Sequence, residues 1–266
     1  MSDSHSFQLS TPTPPRLRVW DEPGIIHGFL GRRGGRSRGA YESLNLSHFV
    51  GDDPHDLADN WERLRGTLPD SIVFSRVNQV HGNVVRVVTH AGAGTRPRAD
   101  GMATGEAGII LGIFTADCVP VLMISSRPRV ACALHAGWRG VLSGIAANGV
   151  RRMEELGTPT SAIRVALGPS IGPCCFEVDA ELAARFVREI PGSTRQARDG
   201  KPGKAFLNLR GIIRDQLIEA GVPAHAITNP GPCTRCASDQ YFSRRAAAGT
   251  TTGLQMSFVG FRPDRL

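Results

Sequence analysis

Residues 133–140, ALHAGWRG, join an apolar segment of strand length to a segment with helical spacing. RVACALH before the junction predicts a strand that ends at His135, and RGVLSGIAANGVRRMEELG after it predicts one amphipathic helix that ends at Gly157. Gly137 and Gly140 permit unusual backbone angles and a close approach of other groups. The junction therefore predicts a strand–turn–helix unit with a crowded turn.

Two interpretations of this turn stay open at the level of sequence. The free N–H groups at the helix N-terminus and the guanidinium of Arg139 predict a site for phosphate or another anion. Trp138 could stack on a planar base or form the wall of a pocket. The alternative is an ordinary turn in which Trp138 packs and Arg139 lies on the surface.

The whole chain has the composition of a folded globular protein. It has 266 residues, of which 41% are hydrophobic and 21% charged, and a formal net charge of +7. A chain of this length can bury a core without disulfides. The positive charge favours anionic substrates, but the arginines are scattered and no nucleic-acid motif occurs, so we predict no nucleic-acid partner.

The N-terminal segment and the apolar runs bear on location. Residues 1–14 are polar and proline-rich, which predicts a disordered tail, and they lack the apolar region of a signal peptide. The longest apolar runs, such as GIILGIF, are far shorter than the ~20 residues of a membrane span. We therefore predict a cytoplasmic protein with no membrane partner, whose cysteines are thiols or metal ligands.

Alternating short segments predict a single α+β domain over residues 15–266. Residues 71–135 contain several apolar runs of strand length, and the SRPR turn predicts that two of them form a hairpin. Helical spacing follows the aspartate pair 52–53 and also Asp179, which are the expected N-caps. The polar segment 191–204 predicts a loop, either a lid or a disordered connection.

Three candidate metal ligands each follow a strand-like segment: His81 in NQVHG, Cys118 in TADC and His135 in RVACALH. If these segments end at one edge of a sheet, two imidazoles and a thiolate meet there. That donor set suits zinc and leaves a fourth position for water or substrate. The alternatives are three unrelated residues, or a Cys118–His135 dyad in which the thiolate is a nucleophile and Asp117 orients or caps.

The other notable cysteines fall into two pairs. Cys174 and Cys175 are adjacent, and Cys233 and Cys236 form a CxxC motif. Together they could make a four-cysteine metal site, but adjacent cysteines seldom bind one zinc ion and a single CxxC motif is weak evidence. No thioredoxin-like βαβ pattern surrounds CTRC. We therefore predict structural or reduced thiols.

Several motifs resemble those of the laccase-domain family, whose members are also called polyphenol oxidase or purine nucleoside phosphorylase family proteins. They are NQVHG, ADGMATGEAGIILGIFTADCVPVLM, HAGWRG, LGPSIGPCCFEV and CTRCASDQYFSRR, in the family's order over roughly residues 24–262. The resemblance implies that residues 15–266 form a catalytic domain with a mixed β-sheet core flanked by helices. One departure is Trp61 in DNWERL, where the family usually has arginine.

The resemblance also implies an activity. His81, Cys118 and His135 match the family's three zinc ligands, which would make them the catalytic residues of a zinc-dependent purine nucleoside phosphorylase. Adenosine, inosine, guanosine and methylthioadenosine would be the nucleosides and phosphate the second substrate, with adenosine deaminase as a side activity. The family also implies a monomer. Four residues in signature loops are candidate substrate-binding residues: Asn45, Gln79, Arg139 and Arg244.

Two other activities stay open for the same residues. Two histidines and a cysteine also form the ligand set of a blue-copper site, so a copper-dependent polyphenol oxidoreductase is one alternative. The chain has eight histidines and no His-x-His pair, which disfavours a multicopper oxidase. A hydrolase that uses Cys118 as its nucleophile is the other alternative.

Overall fold

The computed structural model describes residues 15–263, so the tail predicted over residues 1–14 lies outside the described residues. Within residues 15–263 the chain forms fourteen strands: β1 Arg16–Leu17, β2 Ile25–Leu30, β3 Val73–Arg76, β4 Val85–Val87, β5 Gly101–Thr104, β6 Ile109–Thr115, β7 Val119–Ser126, β8 Arg129–Ala136, β9 Arg164–Leu167, β10 Glu177–Asp179, β11 Ala197–Asp199, β12 Lys204–Leu207, β13 Ile227–Thr228 and β14 Gln255–Phe261.

The same part of the chain forms five α-helices: α1 Pro54–Arg65, α2 Trp138–Leu142, α3 Ile145–Glu155, α4 Ala180–Glu189 and α5 Leu209–Glu219. The Asp53 carboxylate accepts hydrogen bonds from the N–H groups of His55 and Asp56, so it caps α1 as predicted. Asp179 precedes α4, but its side chain makes no capping bond and accepts instead from Lys204 Nζ at 2.6 Å. Asp179 therefore occupies the predicted N-cap position of α4, but its side chain does not cap the helix.

The single helix predicted after His135 is two helices. Gly144 has a φ of 78°, in the left-handed region, and it separates α2 from α3. A residue in that conformation does not continue a right-handed helix. The apolar spacing is nevertheless as predicted, because Val141 and Ile145 lie on opposite sides of the break and pack into the same core.

Two sheets pack face to face. One has the order β1-β2-β14-β6-β3, and the other has the order β13-β9-β7-β8-β5-β4. Alternate residues of the central strands, such as Leu111 and Leu122, fill the space between the sheets. Their neighbours face outward: Ile110 packs in the cluster that includes α1, and Val121 packs in the cluster that includes α2 to α5.

This layering explains why GIILGIF and VPVLMI are continuous apolar runs. Strands buried on both faces lose the polar alternation of a half-exposed sheet. The β7–β8 hairpin joins Ser126 to Arg129, as SRPR predicts. The predicted α+β class, with a mixed β-sheet core flanked by helices, is confirmed. No helix among residues 15–263 combines the length and apolarity needed to cross a bilayer.

The segment 191–204 is more ordered than the sequence predicts. It contains a short 3₁₀ turn and β11, and β11 pairs with β12 in a third sheet of order β10-β12-β11. Gly203, with a φ of 78°, precedes β12. β11 is mostly exposed and polar, and β12 buries Ala205 and Leu207, but strands of three and four residues are too short for a clear apolar periodicity.

The strand ends bring three loops together. β3 and β6 pair in parallel, so the loops that follow them leave the first sheet at the same edge. Cys118 directly precedes β7, whose first residue, Val119, is paired with Ala136 at the end of β8. The loop after β3, the β6–β7 turn and the end of β8 therefore meet at one edge of the two-sheet core.

Candidate metal centre

Three side chains meet at this edge. The ligand atoms of His81, Cys118 and His135 all lie within 4.8 Å of one another, and we call this group the His/Cys/His site. His135 is 3% exposed, Cys118 is half-buried and His81 is exposed. The site therefore has a closed side within the protein and an open side towards solvent. Two imidazoles and a thiolate are donors that suit zinc or copper.

Two residues in or next to the ligand set have a left-handed backbone. His81 and Asp117, the residue before Cys118, have φ values of 61° and 90°. Such conformations cost about 1–3 kcal/mol and persist where the surroundings fix them. The Asp117 carboxylate accepts the Thr234 hydroxyl at 2.6 Å and the Arg245 N–H at 2.7 Å. Asp117 therefore ties the β6–β7 turn to the C-terminal loops.

Asp100 holds two of the ligands in place, a role that the sequence analysis missed. Its buried carboxylate accepts hydrogen bonds from the N–H groups of His81 at 2.8 Å and Gly82 at 2.7 Å, and from His135 Nδ1 at 2.8 Å. Burial favours the protonated acid, but these donors, with His135 foremost, keep the pKa of Asp100 below its usual value. With Nδ1 donating, His135 has Nε2 available for a metal.

The electrostatics of the site favour a thiolate. Burial opposes ionisation of the Cys118 thiol, but His135 and His81 outweigh burial and lower its pKa to about 6. Burial also favours neutral His135, while Cys118 and Asp100 raise its pKa to about 9. A thiolate is the form of cysteine that binds metals and also the form that attacks electrophiles.

The glycines of HAGWRG make room for the ligands. A Cβ on Gly137 would lie 3.0 Å from His81 Cδ2 and 3.2 Å from Cys118 Sγ. A Cβ on Gly140 would lie only 2.6 Å from the Gly82 carbonyl oxygen. The turn therefore needs glycine so that it can pass close to the His/Cys/His site and to the loop that carries His81. The free space beside three soft or borderline donors fits a bound metal ion.

A cavity of about 730 Å³ opens onto the three ligands. This volume lies within the ~300–1,000 Å³ typical of small-molecule sites. Most of the wall area is apolar, and two arginines contribute to it. The lining residues used below are Phe49, Phe114, Trp138, Ile171, Phe176, Arg244 and Arg245.

The four candidate substrate-binding residues occupy different places. Gln79 and Arg244 line the cavity. The Gln79 amide donates to the Phe114 carbonyl and accepts from the Phe114 N–H, both at 2.8 Å, so it extends the pairing of β3 with β6. Arg139 is exposed, and its guanidinium lies over the Trp138 ring, 4.3 Å from the centroid. The residues that line the cavity include Trp138 but not Arg139.

Asn45 is fully buried behind the cavity wall. Its side chain donates to Asp52 at 2.9 Å, and its Oδ1 accepts from the N–H groups of Ser47 and Leu254. Ser47 and Leu254 both line the cavity, so Asn45 positions the wall from behind. Trp61 is also buried, and its indole N–H donates to the Leu46 carbonyl at 3.0 Å.

Comparison with known proteins identifies the family of the chain. Residues 26–262 match the family described as multi-copper polyphenol oxidoreductase laccase. The chain is 35% identical to the purine nucleoside phosphorylase YlmD of Geobacillus stearothermophilus over 91% of this chain and 92% of the relative. It is 37% identical to a purine nucleoside phosphorylase of Streptomyces coelicolor, over 89% and 95% of the two chains.

Two further comparisons extend the picture. The chain is 34% identical to the adenosine deaminase RL5 of an unknown prokaryotic organism, over 78% of this chain and 83% of the relative. The crystal structure of the Geobacillus YlmD superposes with a TM-score of 0.85, at 35% identity, over 90% of this chain and 92% of that one. The chain belongs to the laccase-domain family, as its motifs predict. These relatives carry the names of enzymes that act on purine nucleosides.

Proposed function

We propose that the protein is a zinc-dependent purine nucleoside phosphorylase. The observation that carries the proposal is a three-ligand His/Cys/His site that opens into a cavity of about 730 Å³ with mostly apolar walls and two lining arginines. The names of the relatives give the substrate class. His81, Cys118 and His135 are proposed as the metal ligands and the catalytic residues.

The donor set favours zinc. Three protein ligands with an open fourth position are the arrangement of catalytic zinc sites. Bound zinc supplies a Lewis acid that polarises a substrate oxygen and holds it in place. Asp100 orients His135 through Nδ1 and fixes the backbone of His81, so it is proposed as the residue that positions the ligands.

The cavity walls suit a purine base. Phe49, Phe114, Trp138 and Phe176 offer ring faces or edges that can pack on a flat heterocycle. Exclusion of water by these rings protects the ribose carbon during reaction. Because Phe49 is 63% exposed, it is proposed to be covered only when the base is bound.

The arginines suit phosphate. Arg244 is exposed and lines the cavity, and the planar guanidinium can bind two phosphate oxygens at once. Arg245 donates to the Cys175 carbonyl at 3.0 Å, so its position is fixed by the protein. In the proposed reaction a phosphate oxygen forms a bond to C1′ as the C1′–N9 bond breaks. The purine leaves with the bonding pair and takes up a proton, and ribose 1-phosphate remains.

Adenosine deamination is proposed as a second activity of the same cavity, since one relative is named an adenosine deaminase. Water adds at C6 of the purine and the amino group leaves as ammonia, so inosine is the product. The proposed substrates are adenosine, inosine, guanosine and methylthioadenosine. The chain is proposed to act as a monomer, because one chain supplies all the ligands and the cavity walls.

A phosphate-dependent assay tests the proposal. Wild-type protein should convert inosine and phosphate to hypoxanthine and ribose 1-phosphate, and Cys118→Ala should show little turnover. Cys132→Ala is the matched control, since Cys132 is buried in β8 among core residues and should leave the reaction in place. Absence of product from metal-loaded wild-type protein, or product formation that ignores phosphate, would refute the proposal.

Metal analysis of the same preparation distinguishes the alternatives. Zinc without visible colour supports phosphorolysis. Copper with intense blue absorbance and oxygen consumption would support a polyphenol oxidoreductase. Turnover that survives metal removal but is abolished by alkylation of Cys118 would support a cysteine nucleophile.

A further inference from the structure

Four cysteines form a second group of soft ligands outside the His/Cys/His site. The sulfur atoms of Cys174, Cys175, Cys233 and Cys236 all lie within 4.8 Å of one another, and we call these residues the four-cysteine cluster. Cys236 Sγ lies 3.7 Å from Cys174 Sγ and 3.4 Å from Cys175 Sγ. Two loops that are about 60 residues apart in sequence meet here.

Backbone pairing holds the two loops together independently of the sulfurs. Ser170 and Cys233 form an isolated parallel bridge. The Thr234 N–H donates to the Ser170 carbonyl at 3.0 Å. The sulfurs are therefore close because the fold brings their backbones together.

A tight turn makes both adjacent cysteines available. The N–H groups of Cys175 and Phe176 both donate to the Gly172 carbonyl at 2.9 Å, so the chain reverses at this point. Both sulfurs then approach the single sulfur of Cys236. Adjacent cysteines seldom bind one ion, but the backbone turn here brings both of their sulfurs to the same place.

The spacing fits tetrahedral coordination. A Zn–S bond of about 2.3 Å places the sulfurs of a regular tetrahedron about 3.8 Å apart. The two measured distances, 3.7 and 3.4 Å, are close to that edge length. The Gly172 N–H also donates to Cys233 Sγ at 3.2 Å, a contact that stabilises negative charge on sulfur.

The surroundings offset the charge of four thiolates. Arg210 is buried, and its guanidinium lies beside the cluster: a Cβ on Gly172 would be 3.3 Å from Arg210 Nη2 and 3.3 Å from Cys174 Sγ. Four thiolates and a divalent cation carry two negative charges, which a neighbouring guanidinium partly neutralises.

We propose that Cys174, Cys175, Cys233 and Cys236 bind a second zinc ion whose role is structural. All four coordination positions are taken by protein sulfur, so no position is open to a substrate. The ion would join the loop around residue 172 to the loop around residue 234.

The loops around residues 172 and 234 contribute to the cavity that opens onto the His/Cys/His site. Ile171 and Phe176 line it, and the Thr234 hydroxyl holds the carboxylate of Asp117 next to Cys118. A structural ion at the four-cysteine cluster would therefore fix one wall of the cavity and the turn that carries a ligand of the His/Cys/His site.

Metal counting tests the proposal without an activity assay. Protein refolded or expressed with Zn²⁺ under reducing conditions should contain about two zinc equivalents per chain by native mass spectrometry and by elemental analysis. Cys236→Ser should contain about one equivalent, and so should His81→Ala, whereas the double variant should contain almost none. Cys132→Ala, which removes a core thiol outside both groups, should keep about two.

Two zinc measurements would overturn the proposal: about one equivalent in the wild-type protein that His81→Ala loses, or equal zinc content in wild type and Cys236→Ser. The first measurement decides the case even if Cys236→Ser fails to fold. A denatured mass lower by two hydrogens per cysteine pair in protein purified under reducing conditions would show a disulfide instead, and it would also overturn the proposal. None of these three outcomes depends on phosphorolysis.

Discussion

The His/Cys/His site and the four-cysteine cluster are built in different ways from similar atoms. The first takes its ligands from the loop after β3, the β6–β7 turn and the end of β8, has a carboxylate behind its histidines and opens into a cavity. The second takes all its ligands from two loops and has no side left for a reactant. An open position and an oriented ligand set suit catalysis, whereas a closed set of sulfurs suits stability.

The type of ligand alone does not assign a role to either group. Cysteine occurs in both groups, and both groups contain a thiol next to a glycine turn. What separates them is the number of protein ligands and the groups around them. Asp100 is the clearest case, because it contacts two ligands of the first site.

The largest expected effect is the loss of the phosphorolysis rate in His135→Ala. His135→Ala should reduce phosphorolysis by about 1000-fold, since loss of a metal ligand removes several kcal/mol of transition-state stabilisation. It should leave the zinc of the four-cysteine cluster in place. Steady-state rates with inosine and phosphate, together with zinc content, give the measurement. His225→Ala is the control, because His225 lies in the turn before β13, belongs to neither ligand group and does not line the cavity. Equal losses in the two variants would contradict the assigned role.

Buried His27 should destabilise the fold in acid, and this effect must be separated from metal loss before the two sites are compared at low pH. His27 is 2% exposed, and its Nε2 accepts from the N–H groups of Val19 and Trp20. Burial, aided by Arg18 and Arg16, lowers the pKa of His27 from 6.5 to about 4. Between pH 6.5 and pH 4, His27 binds a proton more readily in the unfolded chain than in the folded one. The contribution of neutral His27 to the free energy of unfolding is therefore complete above about pH 6.5 and is lost as the pH falls towards about 4.

The expected loss in the free energy of unfolding from protonation of His27 is at most about 3 kcal/mol. Urea unfolding at pH 7 and pH 4.5 measures it. His27→Gln keeps an acceptor without a titrating ring and should flatten the pH dependence. His55→Gln, at an exposed position on α1, should not. An unchanged pH dependence in His27→Gln would show that other groups dominate acid unfolding.

Asp100→Asn should weaken the first site and spare the second. The amide cannot accept all the hydrogen bonds that the carboxylate accepts, and loss of such a partner typically costs about 10–100-fold in metal affinity. Competition with a zinc chelator gives the affinity of each site in turn. Asp70→Asn, at an exposed position, is the matched control. Tighter or equal zinc binding in Asp100→Asn would break the proposed contrast.

Gly137→Ala tests the space beside the ligands and has the smallest expected effect. The added methyl group would lie 3.0 Å from His81 and 3.2 Å from Cys118, so the ligands must shift by a few tenths of an ångström. We expect about a tenfold loss of zinc affinity at the His/Cys/His site, in the range of misplaced supporting groups. Gly94→Ala has open space around the new methyl group and should bind zinc as the wild type does. Chelator competition compares the two variants.

The sequence predicted the parts of the fold that depend on local patterns. The apolar runs, the SRPR hairpin and the Asp53 cap each arise within a few residues, and all three are confirmed. The break at Gly144 was missed because apolar spacing continues across it. The β11–β12 pair was missed because strands of three and four residues are too short to show a clear hydrophobic alternation.

The ligands of the His/Cys/His site were predictable from the sequence, but the residues that hold those ligands in place were not. Strand ends and residue types pointed to His81, Cys118 and His135 before their proximity was known. Asp100 supports them only because β5 pairs with β8, which brings its carboxylate to His135. Asn45 and Gln79 lie in signature loops, yet their side-chain bonds to distant backbone groups appear only in the fold. Tertiary pairing of this kind has no local sequence pattern.

The most direct test is a crystal structure of zinc-loaded protein with diffraction recorded on both sides of the zinc absorption edge. We expect an anomalous peak from a zinc ion bound by His81, Cys118 and His135, with its remaining position facing the cavity and occupied by solvent or phosphate. A fourth protein ligand that closes this ion, or no zinc between these three side chains, would contradict the central claim.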